Sequence, residues 1–105
     1  MVSFGSAIQL SKKDVEKIFF DVESLLISVS LIPDKTKWKI GKELEWFYSK
    51  LGDNEFDTNS ANKIAKYLEN IARYEIKKDL ELKTKLEQLS DKIGKLSLSG
   101  VDIVS

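Results

Sequence analysis

Apolar residues near the start of the chain recur every three or four positions, which is the spacing of one face of an α-helix. The stripe consists of Val15, Ile18, Phe19, Val22, Leu25, Leu26 and Val29. Ser11 precedes it and is suited to cap the first turn, since its hydroxyl can accept a hydrogen bond from an amide three residues later. Residues 27–31 also alternate as a strand would, but no turn signal separates them from the helical stripe. The pattern therefore predicts a first helix from Ser11 to about Ile32, ended by Pro33.

A second helix is predicted over residues 35–51. Its apolar positions step by four, three and four along one seam, namely Ile40, Leu44, Phe47 and Leu51. Gly52 is the expected end of this helix, because glycine readily takes up the left-handed conformation that closes many helices. The next segment is polar except for Phe56, which we expect to fold back into the core. Thr58 or Ser60 would cap the helix that follows.

Two apolar stripes follow in the last part of the chain. The first consists of Ile64, Ala65, Leu68, Ile71, Ala72 and Ile76. The second, which we call the C-terminal seam, consists of Leu82, Leu86, Leu89, Ile93 and Leu96. Because the stripes are out of phase across residues 77–80, the region is either one long helix over residues 60–96 with a stutter, or two helices broken near residues 78–80 and capped by Asp79. No Gly or Pro interrupts the junction, which favours one long helix.

Residues 1–10 and 97–105 differ from the rest, since they are rich in Ser, Gly and β-branched residues. We expect them to be flexible tails unless something pairs with them, although four apolar residues near the C-terminus suit a short strand: Leu98, Val101, Ile103 and Val104. With 105 residues, the chain is long enough for one core. The whole pattern predicts an all-α fold, a single-domain bundle of three or four helices.

Charge and composition narrow the classes of function. Seventeen basic and seventeen acidic residues leave no net charge, so attraction to nucleic acid or to a membrane has to come from a local patch. The chain has no Cys and no His, which removes the thiolate nucleophile, the commonest general base and the commonest transition-metal ligand. We therefore expect a protein that is not an enzyme and holds no cofactor or metal. The sequence shows no signal peptide and no apolar run of about 20 residues, so we expect it to be soluble and cytoplasmic.

The C-terminal seam is the strongest candidate for a partner surface. Its alternating steps of four and three match a coiled coil, and Glu81 and Lys85 have the four-residue spacing of an ion pair on one helix. The same stripe also suits an internal bundle helix, because two heptads are fewer than the three or four that indicate a coiled coil. We expect a non-catalytic protein–protein interaction module, either a homo-oligomer or a small subunit of a larger assembly.

Nucleic-acid binding is the alternative function. The second helix carries a basic, aromatic face made of Lys35, Lys39, Lys42 and Trp46. Lysines interleaved with indoles suit a phosphate backbone and unpaired bases. A helix-turn-helix interpretation adds exposed residues of the next helix, namely Lys63, Lys66, Tyr67, Asn70 and Arg73. The predicted loop over residues 52–59 is longer than that motif prefers, and Arg73 is the only arginine in the chain.

Overall fold

The computed structural model describes residues 7–104, which form four α-helices and a short two-stranded sheet. In chain order the elements are β1 (Ile8–Ser11), α1 (Lys12–Ser28), α2 (Asp34–Gly52), α3 (Thr58–Asn70), a π-helical turn (Ile71–Glu75), α4 (Leu80–Ser99) and β2 (Val101–Val104). The predicted class, a small all-α bundle, is confirmed. No helix in this part of the chain has an apolar stretch long enough to cross a membrane.

The first helix begins as predicted and ends earlier than predicted. The Ser11 hydroxyl accepts a hydrogen bond from the Asp14 amide at 3.1 Å, which confirms the cap. The helix ends at Ser28, and Val29 is already extended, so the prediction of helix to Ile32 was wrong. Serine and β-branched residues are weak helix formers, and a residue before proline disfavours helix. Ile32 is nevertheless buried, because the turn that replaces the last helical turn folds it into the core.

The second helix and its buried seam are confirmed, but its end differs in detail. All four seam residues are buried: Ile40, Leu44, Phe47 and Leu51. Gly52 is the last helical residue and does not adopt the left-handed conformation, so that prediction was wrong. Asn54 takes that conformation instead, with φ of 61°, and its amide donates to the Leu51 carbonyl at 2.9 Å. Asparagine tolerates this region better than most side chains.

Phe56 folds back into the core as predicted. Its ring lies edge-on to Phe47 with centroids 5.2 Å apart, and Phe47 stacks on Phe19 at 4.0 Å. Asp57, and not Thr58 or Ser60, caps the third helix, because its carboxylate accepts from the Ser60 hydroxyl at 2.6 Å and from the Ser60 amide at 3.4 Å. Ser60 is consequently a buried partner of the cap.

Of the two alternatives predicted for residues 60–96, the structure has the broken one, two helices with Asp79 as the cap of the second, and not the favoured long helix. After the π-helical turn, Ile76 is extended, and the Asp79 carboxylate accepts from the Leu82 amide at 3.0 Å. The chain then folds α4 back against α3, where the Ser90 hydroxyl donates to the Ala65 carbonyl at 2.7 Å. The break needs neither Gly nor Pro, because folding back lets the two out-of-phase stripes bury each other.

The sheet joins the two ends of the described chain. Strands β1 and β2 are parallel, with Ile8 opposite Val101 and Ser11 opposite Val104. Gly100, with φ of 78°, makes the turn from α4 into β2. Of the predicted tails, residues 97–99 continue α4, while residues 8–10 and 101–104 lie in the strands. The rest of that prediction, on residues 1–6 and 105, lies outside the described residues.

Candidate interaction surfaces

The structure places the C-terminal seam inside the chain. Leu86 and Ile93 are fully buried, Leu82 and Leu96 are nearly so, and Leu89 is half-buried against the core. The flanking pair Glu81 and Lys85 does meet, with 3.8 Å between carboxylate and ammonium. These apolar side chains are covered by α3 and the rest of one chain, so they leave little apolar surface accessible.

The basic, aromatic face of the second helix is open to solvent. It points away from the buried seam of α2, and we call it the α2 outer face: Lys35, Trp38, Lys39, Lys42, Trp46 and Lys50. Apart from the adjacent Trp38 and Lys39, successive positions are three or four residues apart, which keeps them in one stripe along the helix. Trp38 is 64% exposed and Trp46 is 54% exposed, although an indole is among the largest apolar side chains a protein can bury.

Each indole of the α2 outer face is paired with a lysine one turn later. The Lys42 ammonium lies 5.0 Å from the centroid of Trp38, and the Lys50 ammonium lies 4.9 Å from that of Trp46. At an exposed site such a cation–π contact contributes about 0.5–1 kcal/mol. The pairs hold the rings along the helix surface while leaving more than half of each side chain accessible.

The α2 outer face keeps most of its positive charge, although Lys50 forms an ion pair with Glu55 at 3.9 Å and the exposed Glu45 lies next to Trp46. In the described part of the chain, no carboxylate lies within ion-pair distance of Lys35, Lys39 or Lys42. The nearby Glu43 is engaged elsewhere, since its carboxylate lies 4.0 Å from the ammonium of Lys63 on α3. Three lysines are therefore free to meet an anion.

The candidate residues of α3 do not form a second basic face. Lys63 is bound to Glu43, Tyr67 is half-buried against the core, and Lys66 is exposed. Arg73 pairs with Glu69 at 3.7 Å and lies beside a shallow pocket whose walls include Glu87 and Asp91. Acidic walls repel phosphate, so this part of the surface is poorly suited to a helix-turn-helix contact with DNA. Asn70 is exposed at the end of α3.

A second surface, which sequence analysis missed, lies between the first two helices. We call it the α1–α2 groove, an open and mainly apolar depression of about 300 Å³ lined by Glu23, Leu26, Ile27, Gly41, Leu44, Glu45 and Tyr48. Gly41 leaves the floor open, because a Cβ atom there would meet no atom within 4 Å. Ile27 stands on the rim, 82% exposed, and the 49% exposed Phe20 continues the surface by contacting Tyr48, with ring centroids 5.6 Å apart. In the sequence, this surface could have been found from Phe20 and Ile27, two large apolar residues whose seven-residue spacing places them on one side of the first helix.

Tyr48 gives the groove an unused polar group. Its phenol oxygen is buried, and no hydrogen-bond partner in the described residues meets it. Burial and the neighbouring Glu23 carboxylate raise the pKa of Tyr48 far above its ordinary value. The phenol therefore stays protonated at neutral pH, beside the Glu23 carboxylate in the wall of the groove.

A larger depression, with both polar and apolar residues in its lining, lies between α1 and α4. Its volume is about 440 Å³, and its walls are Asp21, Ser24, Leu25, Ser28, Lys85, Gln88, Leu89 and Lys92. Across residues 7–104, no three carboxylates come together in a way that would hold a metal ion. The α1–α2 groove is the more distinctive of the two depressions, because apolar lining and a large projecting side chain occur together there.

The two candidate surfaces thus lie on neighbouring sides of α2. The α2 outer face combines positive charge with exposed indoles, whereas the α1–α2 groove has a mainly apolar lining that also includes Glu23 and Glu45. Comparison of the chain with protein-family models, curated proteins and solved structures finds no significant match.

Proposed function

We propose that this chain is a non-catalytic protein–protein interaction module that forms a homo-oligomer through the α1–α2 groove. The proposal depends on one observation, that the 82% exposed Ile27 projects directly beside an open apolar depression. In the arrangement we propose, a two-fold rotation places Ile27 of each copy over the groove of the other, with Glu23 and Glu45 at the edge of the contact. A role as a small subunit of a larger assembly is the variant in which another chain fills this groove. The lack of Cys suits the cytoplasm, where we place the protein.

The energies of these contacts favour a weak oligomer. Burial of an isoleucine side chain contributes about 1.5–3 kcal/mol, and a two-fold contact buries Ile27 twice. Association must offset lost translational and rotational freedom, so we expect an oligomer that dissociates on dilution.

The solution mass of the chain tests this proposal. Light scattering coupled to size exclusion should give one chain, 12.0 kDa, at high dilution and a multiple of that mass as concentration rises. Ile27→Glu should keep the mass at one chain, because the substitution would bury a charge in the groove. Leu98→Glu is the matched control, since Leu98 is 90% exposed at the far end of α4 and the charge change is the same.

Gly41→Leu tests the groove from its other side. The backbone at Gly41 has room for a side chain, and leucine favours helix more than glycine does by roughly 0.5–1 kcal/mol. The variant should therefore unfold at higher urea concentration than the natural chain while associating less, because leucine occupies the space that Ile27 of another copy would enter. A mass of one chain for the natural protein at every concentration would refute self-association. Equal loss of association in Ile27→Glu and Leu98→Glu would instead refute the assignment of the interface to the α1–α2 groove.

A further inference from the structure

The α2 outer face is unusual in where it places the tryptophans. The chain contains two, and both lie on this face, more than half exposed. Three phenylalanine rings, Phe19, Phe47 and Phe56, are packed together in the core, whereas Phe20 and Tyr74 are about half exposed on other parts of the surface. Two indoles left on the solvent side of a helix therefore present flat apolar surface to something outside the chain.

The spacing of the face suits a linear anionic partner. Trp38 and Trp46 are eight residues apart, which is about 12 Å along a helix. Stacked nucleotides rise by about 3.4 Å each, so the two rings are as far apart as bases three to four nucleotides from each other. Lys35 and Lys39 flank the first ring along the same stripe, and neither has an ion-pair partner in the described residues.

The chemistry of the face distinguishes among anionic partners. An acidic peptide would satisfy the lysines and leave the indoles uncovered. A duplex hides the faces of its bases, so the indoles would gain no stacking there, and an arginine-free surface lacks the side chain best suited to guanine. Unpaired bases offer π-faces in every sequence, and exposed aromatics beside basic groups are how proteins hold single strands without sequence preference.

We propose that the α2 outer face binds single-stranded nucleic acid, with Lys35, Lys39 and Lys42 contacting phosphates while Trp38 and Trp46 stack on bases. This inference goes beyond the proposed function and uses a different surface from the α1–α2 groove. The two are compatible, because the lysine stripe points away from the core while the groove lies on the side facing α1. Self-association would then place two such faces on one particle.

Intrinsic fluorescence provides a direct assay, since every tryptophan in the chain belongs to this face. A short oligothymidylate should quench the emission at low salt. Three phosphate contacts predict a slope of about −2 for log affinity against log salt, because each contact on a single strand contributes about −0.7. Between about 50 and 200 mM salt the affinity should therefore fall about 20-fold.

Substitutions separate the charges from the rings. The triple variant Lys35→Gln, Lys39→Gln, Lys42→Gln should lose the salt dependence and most of the binding. Its matched control replaces three exposed lysines outside the face and should bind as the natural chain does: Lys77→Gln, Lys78→Gln, Lys92→Gln. Trp46→Leu should weaken binding by about 5- to 150-fold, because stacking on one base is lost. The fluorescence of the remaining Trp38 measures binding by this variant. All these positions are exposed, and circular dichroism will verify that each variant folds.

Several outcomes would overturn the inference. One is the absence of quenching at low salt. A second is equal affinity for polyaspartate, which would show that charge alone is recognised and that the partner is an acidic protein. A duplex of the same length that binds as tightly would exclude base stacking. Equal weakening in the two lysine triple variants would show that the charge effect does not belong to the α2 outer face.

Discussion

Leu86→Ala tests whether the C-terminal seam stabilises the single chain. Leu86 is fully buried on α4, and its seam neighbours Leu82 and Ile93 are buried with it. Leu98 lies on the same helix and is almost entirely exposed. Leu98→Ala is therefore the matched control, because it removes the same atoms from the same helix at an exposed position.

The structure sets the size of the effect. Replacing a fully buried leucine by alanine removes apolar contacts and leaves a cavity, which lowers the free energy of unfolding by about 2–5 kcal/mol. A domain of this size unfolds with a total of about 5–15 kcal/mol. A loss of about 3 kcal/mol should lower the melting temperature by roughly 12–24 °C, since each kcal/mol shifts it by about 4–8 °C. Leu98→Ala should stay within about 0.5 kcal/mol of the natural chain.

Urea unfolding followed by circular dichroism measures the free-energy change, and light scattering on the same samples measures the mass. We expect Leu86→Ala to lower the urea midpoint strongly. The dependence of the mass on protein concentration should not change under conditions in which the chain remains folded. An unchanged midpoint together with a loss of the larger species would refute the reasoning. That result would mean that Leu86 contacts another chain.

Further substitutions test other parts of the fold. Asp79→Ala should lower the free energy of unfolding by about 1 kcal/mol, because it removes the cap of α4, whereas Asp91→Ala within that helix should change it far less. Asn54→Gly should be tolerated and Asn54→Val should cost about 1–2 kcal/mol in urea unfolding, because φ at this position is 61°. For Tyr48, burial raises the pKa of the folded state above the unfolded value of about 10, so stability should fall as pH rises beyond 10. Tyr48→Phe should remove that part of the alkaline decline in a pH series of unfolding curves.

The helices could be predicted because their buried faces repeat at helical spacing. The seam at Ile40, Leu44 and Phe47 is a local property of the sequence, and the structure buries it as expected. The Ser11 cap was predictable for the same reason, since it depends on atoms three residues apart. Local geometry also allowed Asp79 as a cap, although continuity of the helix was preferred.

What the sequence left open depends on contacts between distant residues. Whether the chain reverses at residues 77–80 is decided by how well α3 and α4 bury each other, and no pattern within the junction reports that energy. The α1–α2 groove likewise exists because Gly41 faces α1 across the fold. The α2 outer face could be predicted in part, from Lys35 to Trp46, because one helix carries all of it. That its lysines do not pair with Glu43 could not be predicted, because it depends on the contact between Glu43 and Lys63 of α3.

The pairing of β1 with β2 has a consequence for how the protein matures during synthesis. Strand β1 is synthesised before the four helices of the described residues, while β2 follows them. The helices can form from contacts between near neighbours in the chain, whereas the sheet must wait for its second strand. Throughout that interval, β1 presents unpaired backbone groups to the surroundings. Translation speed near the end of α4 should therefore influence how much of the newly made protein aggregates.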